Sequence, residues 1–254
     1  MSTTETIATR RDLDIEVVFN VRHLGGLRTR DGRRTRASVV RAGSLHRLTP
    51  AGIETLAALG VRTIVDLRSP TEHEQAPSPD LGQAGIQRVA VPVFETDASP
   101  LAFTENFQGF GPIYQQFLEG GRDAYRALFE SIVATDGTVL FHYAAGKDRT
   151  GVAAALLLEL AGVPDEEIIE DYRVSAANLR ASMERHPMDP AQREKLREAG
   201  LTDEMIAKLM GSEPEYMVQT LTYIRRRWGS AEGYMHDLGL DGKKVESLYE
   251  RLVA

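Results

Sequence analysis

The sequence contains no cysteine. Disulfides, zinc-thiolate sites and thiol nucleophiles are therefore impossible in this chain. A surplus of positive charge is also missing, because the formal net charge is -7. Nonspecific nucleic-acid binding depends on excess Lys and Arg, so we expect no nucleic-acid partner. The longest apolar run, residues 152–158, is too short to span a bilayer, and the polar residues 1–10 have no apolar signal core. We expect a cytoplasmic protein without a membrane span.

The remaining composition is typical of a globular chain, with 42% apolar residues over a length of 254. We predict a flexible tail at residues 1–12 and one domain at residues 13–254. Apolar runs that are typical of strands alternate with helical segments, which predicts an α/β fold with a central, mostly parallel sheet flanked by helices. Charged helices at about residues 182–211 are predicted to form a lid.

The most informative segment is His-Tyr-Ala-Ala-Gly-Lys-Asp-Arg-Thr-Gly at residues 142–151. It follows a predicted strand and precedes a predicted helix, so backbone N–H groups and a helix N-terminus converge where a phosphate dianion can bind. Gly146 lets the backbone curl close to the anion, and Arg149 can hold two of its oxygens. Lys147 adds charge at the rim, while Thr150 can cap the helix or bond to residue 143. The predicted phosphate-binding residues are Ala144, Ala145, Gly146, Lys147, Asp148, Arg149 and Thr150.

This segment resembles the phosphate loop of the cysteine-dependent phosphatases, in which His-Cys is followed by five residues, Arg, and Ser or Thr. Its Ala-Gly-Lys-Asp-Arg-Thr-Gly version is similar to that of the bacterial tyrosine/serine phosphatases, a family that includes phosphoinositide phosphatases. Other segments resemble motifs of the same family, and they are residues 20–26, 41–45, 66–68 and 228–234. The resemblance extends over about residues 16–252, and it implies a phosphatase-like fold and phosphate-ester chemistry.

Two positions depart from the family pattern. Tyr143 replaces the nucleophilic cysteine, and His23 replaces an aspartate of the N-terminal motif. The family mechanism needs a thiolate that attacks phosphorus and forms a phosphoenzyme. A phenol titrates near about pH 10 and is much longer than a thiol, so displacement through Tyr143 is not expected.

Three hypotheses follow from this replacement. The chain is a phosphate-binding relative without turnover, an enzyme with very weak hydrolysis or thiol-free phosphate-ester chemistry, or a laboratory mutant of an active phosphatase. An example of thiol-free chemistry is the elimination of phosphate from a small metabolite. Elimination needs a base. Tyr143 could act as that base if its pKa were depressed, and the cationic loop is expected to depress it.

The candidate catalytic residues are Tyr143, Asp66, Asp148 and His23, as acid or base. For Asp66, a structural role as a partner of Arg68 is as well supported as a catalytic one. For His23, the structural alternative is a tolerated replacement at the pocket edge. No metal or cofactor is expected, because the loop itself supplies positive charge. The expected partner is a phosphate monoester, whether metabolite, phosphoprotein or phospholipid headgroup, and the oligomeric state stays open.

Overall fold

The computed structural model describes residues 11–94, 109–185, 187, 191, 194, 197–198, 200 and 202–254. Most of the predicted tail and of an irregular segment predicted at 97–111 lie outside these residues. The last two residues of the predicted tail belong to the domain. Arg11 is buried and forms an ion pair with Asp171 (2.9 Å), and Asp12 forms a β-bridge with Arg22.

The described residues form a five-stranded sheet with the strand order β1-β2-β5-β3-β4. Its strands are β1 (Arg22–His23), β2 (Val39–Ala42), β3 (Val61–Asp66), β4 (Gln87–Ala90) and β5 (Thr138–His142). Strand β1 is antiparallel to β2, whereas β2, β5, β3 and β4 run parallel. The prediction of a mostly parallel α/β sheet is therefore confirmed. Since parallel strands end at the same edge, the segments after β2, β3 and β5 meet there, where such sheets place ligands.

Helices cover both faces of the sheet. They are α1 (Pro50–Ala58), α2 (Pro70–Gln75), α3 (Gly111–Gly120), α4 (Arg122–Ala134), α5 (Asp148–Leu160), α6 (Asp165–Arg185), α7 (Asp203–Met210), α8 (Pro214–Trp228), α9 (Ala231–Asp237) and α10 (Gly242–Leu252). In β5, Val139 and Phe141 face one apolar core, while Leu140 faces the other. A strand that is buried on both faces explains why its sequence is a continuous apolar run.

Two predicted elements differ from the structure. The sequence of residues 114–135 predicts one continuous helix, but the structure has two helices there, α3 and α4, separated at Gly121. A Cβ at Gly121 would lie 2.6 Å from a methyl carbon of Val93, so the chain approaches its neighbour more closely than a continuous helix with side chains allows. A strand predicted at residues 16–19 is absent among the described residues. Val17 and Asn20 have φ angles of 57° and 56°, which extended backbone does not permit.

The predicted lid is described only in part. Helix α6 continues to Arg185, and α7 is helical as expected, while several residues between them lie outside the described set. The lid therefore stays a prediction. In the part of the chain that the structure describes, no helix is both long and apolar enough to cross a membrane.

Candidate active site

The segment 142–151 joins the central strand β5 to helix α5. His142 ends the strand, between β2 and β3, and Asp148 begins the helix. The segment therefore lies at the carboxyl edge of the parallel sheet, directly before a helix N-terminus. This placement agrees with the position that the sequence predicts for a phosphate-binding loop.

The carbonyl groups of this loop are bonded by three other parts of the chain. The bonds run from the Ser44 N–H to the Ala144 carbonyl (3.0 Å), from the Asn20 amide to the Ala145 and Gly146 carbonyls (3.2 and 2.9 Å), and from the Arg41 guanidinium to the Gly146 carbonyl (2.8 Å). Among the described hydrogen bonds, none uses the backbone N–H groups of residues 144–149 as donors. Anchored carbonyls and free amides are the arrangement that an anion requires.

Gly146 is required by two features of its position. Its φ angle is 64°, in the left-handed region that side chains disfavour. A Cβ at this residue would lie 2.5 Å from the Ala42 carbonyl oxygen, which belongs to the neighbouring strand β2. Glycine therefore allows the loop to fold against the sheet edge.

A buried cluster of ion pairs supports the phosphate loop. Asp171 in α6 is 1% exposed, and its carboxylate pairs with Arg11, Arg22 and Arg41. Arg41 also holds the Gly146 carbonyl, so the cluster is connected directly to the loop. Burial alone would raise the pKa of the Asp171 carboxyl, but the three guanidinium groups hold it well below the usual range. The sequence analysis did not single out Asp171, because its partners are far away along the chain.

Tyr143 lies at the head of the loop with its hydroxyl directed at Asp148. The hydroxyl donates to Oδ2 of Asp148 at 3.2 Å, and the Arg149 guanidinium carbon lies 4.6 Å from the ring centroid. Burial and the Asp148 carboxylate raise the pKa of Tyr143 well above 10, outweighing the opposite influence of Arg149. The prediction of a depressed pKa is therefore wrong, because burial disfavours the charged phenolate and Asp148 places a negative charge beside it.

The Asp148 carboxylate accepts hydrogen bonds from several side chains. Tyr114 in α3 donates to its Oδ1 at 2.6 Å, and the Lys147 ammonium lies 3.2 Å from the same oxygen. The Tyr114 hydroxyl is also 2.7 Å from that of Tyr172. Asp148 and Tyr143 are thus brought together as predicted, within a buried network whose other phenols the sequence analysis missed.

Lys147 does not lie at the rim of the loop. The residue is 0% exposed, and its ammonium donates to the carbonyl groups of Leu209 and Gly211 at 2.7 and 2.6 Å. It also lies 3.9 Å from the centroid of the Phe110 ring. Burial lowers its pKa. The predicted rim position is wrong, because the end of α7 covers the side chain.

Arg149 is 5% exposed and is held by a carboxylate that the sequence analysis missed. Its Nη1 forms an ion pair with Glu72 of α2. The same Glu72 oxygen accepts from the Ser69 N–H at 2.8 Å, which completes a capping box. The Ser-Pro-Thr-Glu pattern was the available signal for this turn. Thr150 forms neither predicted bond, since its buried hydroxyl has no partner among the described residues.

Comparison with known proteins identifies the group to which this arrangement belongs. A family model described as "Tyrosine phosphatase family" matches residues 13–254. The chain belongs to the tyrosine phosphatase family. A tyrosine-protein phosphatase of Nostoc commune is 36% identical over 222 residues, covering 84% of this chain and 73% of the relative.

Two further relatives carry phosphatase names. A putative tyrosine-protein phosphatase of Cupriavidus necator is 30% identical over 240 residues, covering 90% of this chain and 84% of the relative. The triple specificity protein phosphatase PtpB of Mycobacterium tuberculosis is 28% identical over 247 residues, covering 82% and 88%. The family that the loop motif indicates is therefore confirmed.

Asp66 of this tyrosine phosphatase family member is engaged in a buried ion network. Its carboxylate accepts from Arg68 at 2.9 and 2.8 Å and from Arg88 at 2.8 Å. Burial alone would raise the pKa of Asp66, but these guanidinium groups and His142 hold it well below the usual range. A carboxylate held so strongly in its ionised form is poorly suited to donate a proton, which favours the structural interpretation of Asp66.

His142 and His23 have different surroundings. Both ring nitrogens of the buried His142 lack hydrogen-bond partners among the described residues, and burial lowers its pKa to about 4. His23 lies in the edge strand β1, and its Nδ1 accepts from the Gly25 N–H at 3.1 Å. No hydrogen bond or ion pair between described residues joins His23 to the phosphate loop, so its catalytic role remains a prediction without a supporting contact.

Proposed function

We propose that this tyrosine phosphatase family member binds a phosphate monoester at residues 142–151 and does not form a phosphoenzyme. The observation that carries the proposal is Tyr143 at the position of the nucleophile, with its hydroxyl bonded to Asp148. A neutral phenol is a poor nucleophile, and burial together with the Asp148 carboxylate keeps the pKa of Tyr143 well above 10. The free amides of the loop and the guanidinium of Arg149 support binding, since they favour an anion without any chemical step.

Thiol-free elimination through Tyr143 receives less support. A general base must release its proton near the working pH, and the raised pKa of Tyr143 opposes this. Its partner Asp148 already accepts from two phenols, and the Lys147 ammonium lies 3.2 Å from the same carboxylate. Binding without turnover is therefore the favoured function.

Arg149→Ala is expected to weaken phosphate binding by about tenfold or more, since hydrogen bonds to charged groups are the strong ones. Isothermal calorimetry with phenyl phosphate would measure the change. Arg173→Ala is the matched control, because Arg173 is an exposed arginine whose guanidinium pairs with Glu170 and with no other carboxylate among the described residues. Equal affinity of wild type and Arg149→Ala would rule out the loop as the site.

Tyr143→Phe tests thiol-free chemistry. We expect no product from small phosphometabolites in either protein, and phosphate binding within about threefold of wild type, because the phenol donates to Asp148 rather than to the loop amides. Inorganic phosphate and the organic product would both be measured. Product from wild type that disappears in Tyr143→Phe, with binding intact, would establish a catalytic phenol and overturn the proposal.

A further inference from the structure

A cluster of cationic side chains surrounds Asp66 beside the phosphate loop. We call Arg68, His73 and Arg88 the cationic cluster. Arg68 and Arg88 both donate to Asp66, and their Nη2 atoms lie 3.1 and 3.0 Å from Nδ1 of His73. Asp66 and the two guanidinium groups together carry one positive charge, and the exposed Glu74 carboxylate also acts on His73.

The cluster presents donors that the protein does not use. Because Nδ1 of His73 accepts from two arginines, its ring proton is on Nε2. Among the described residues, neither Nε2 of His73 nor Nη1 of Arg88 has a hydrogen-bond partner. The side chains of His73 and Arg88 are 32% and 29% exposed, so an outside ligand can reach them. Two adjacent free donors beside an excess positive charge form a site that suits an anion.

Two connections place this cluster next to the phosphate loop. His73 directly follows Glu72, the residue that holds Arg149. Ser44 accepts from Arg68 Nη1 at 3.3 Å through its hydroxyl, and its N–H bonds the Ala144 carbonyl at 3.0 Å. The cationic cluster is thus joined to the phosphate loop through Glu72 and through Ser44.

We propose that the cationic cluster binds a second acidic group of the same phosphate monoester, so that the preferred ligand carries two anionic groups. This inference rests on the proposed function of the loop. The excess charge and free donors are not needed by the fold, since Arg68 alone gives Asp66 a two-pronged partner. The second group is a carboxylate or another phosphate, because both accept bonds from guanidinium and imidazole N–H groups.

Calorimetry at constant ionic strength with three aryl phosphates tests the inference and separates a carboxylate from a phosphate as the second acidic group. They are phenyl phosphate, 4-carboxyphenyl phosphate and 1,4-phenylene bisphosphate. Two of these compounds, 4-carboxyphenyl phosphate and 1,4-phenylene bisphosphate, carry a second anionic group. We expect the wild-type chain to bind at least one of them about tenfold more tightly than phenyl phosphate. His73→Ala and Arg88→Gln should each remove most of this gain and leave phenyl phosphate binding unchanged. The side chains of His73 and Arg88 are each about one-third exposed, so neither substitution opens the core.

Arg62→Ala is the matched charge control, because exposed Arg62 lies near the opposite end of β3. It should retain the full gain. Equal affinity of the wild type for all three compounds would overturn the inference while the proposed function stands. A gain that persists in both His73→Ala and Arg88→Gln would also overturn it. Absence of binding by any compound would overturn the proposed function, and this inference with it.

Discussion

Tyr143→Cys is expected to raise the hydrolysis of an aryl phosphate by at least about a thousandfold over wild type, since removal of a covalent nucleophile costs enzymes up to about a millionfold. The parts that such a reaction needs are already in place. Among the described residues, no hydrogen bond uses the N–H groups of residues 144–149 as donors, and Arg149 and the N-terminus of α5 favour a thiolate at residue 143. The shorter side chain also releases Asp148 from one of its donors.

Release of p-nitrophenol and phosphate from p-nitrophenyl phosphate would measure this gain. Tyr143→Ser is the matched control, because it opens the same space without supplying a thiolate. The double variant Tyr143→Cys with Arg149→Ala should lose most of the gained activity if phosphate is bound as proposed. Wild-type turnover at about 1 per second or faster would contradict the prediction and require another nucleophile.

The fold and the position of the loop could be predicted because their signals are local. Residues 139–141 are apolar at every position, as expected for a strand buried on both faces, and the Gly146 turn precedes the small residues of α5. Such patterns fix the type and order of elements without knowledge of distant contacts. The strand–loop–helix arrangement therefore followed from the sequence.

The electrostatics of the loop could not be predicted in the same way. The sequence suggested that positive charge would depress the pKa of Tyr143, but burial and the Asp148 carboxylate raise it. Lys147 was expected at the rim, but carbonyl groups of residues 209 and 211 bury it. Glu72 neutralises Arg149 from 77 positions away. Each outcome depends on a tertiary partner, which no local pattern reveals.

The cluster around Asp171 is the clearest example of such a partner, and it leads to a large expected effect on stability. Asp171→Asn is expected to lower the free energy of unfolding by about 3–5 kcal/mol, because it leaves the guanidinium groups of Arg11, Arg22 and Arg41 buried without a counterion. Asparagine keeps the volume of the side chain, so the loss reports on charge. Denaturant unfolding followed by circular dichroism would measure it.

The pH dependence of the same variant distinguishes charge from packing. The native pKa of Asp171 is depressed below its unfolded value of about 3.9, so its stabilisation is fully present above about pH 5 and is lost as the pH falls toward the native pKa. Wild type should therefore lose stability on acidification more steeply than Asp171→Asn, while Asp66 titrates equally in both. Asp123→Ala, an exposed aspartate at the start of α4, should change stability by less than about 1 kcal/mol. Parallel acid profiles of wild type and Asp171→Asn would show that the carboxylate charge does not hold the three arginines together.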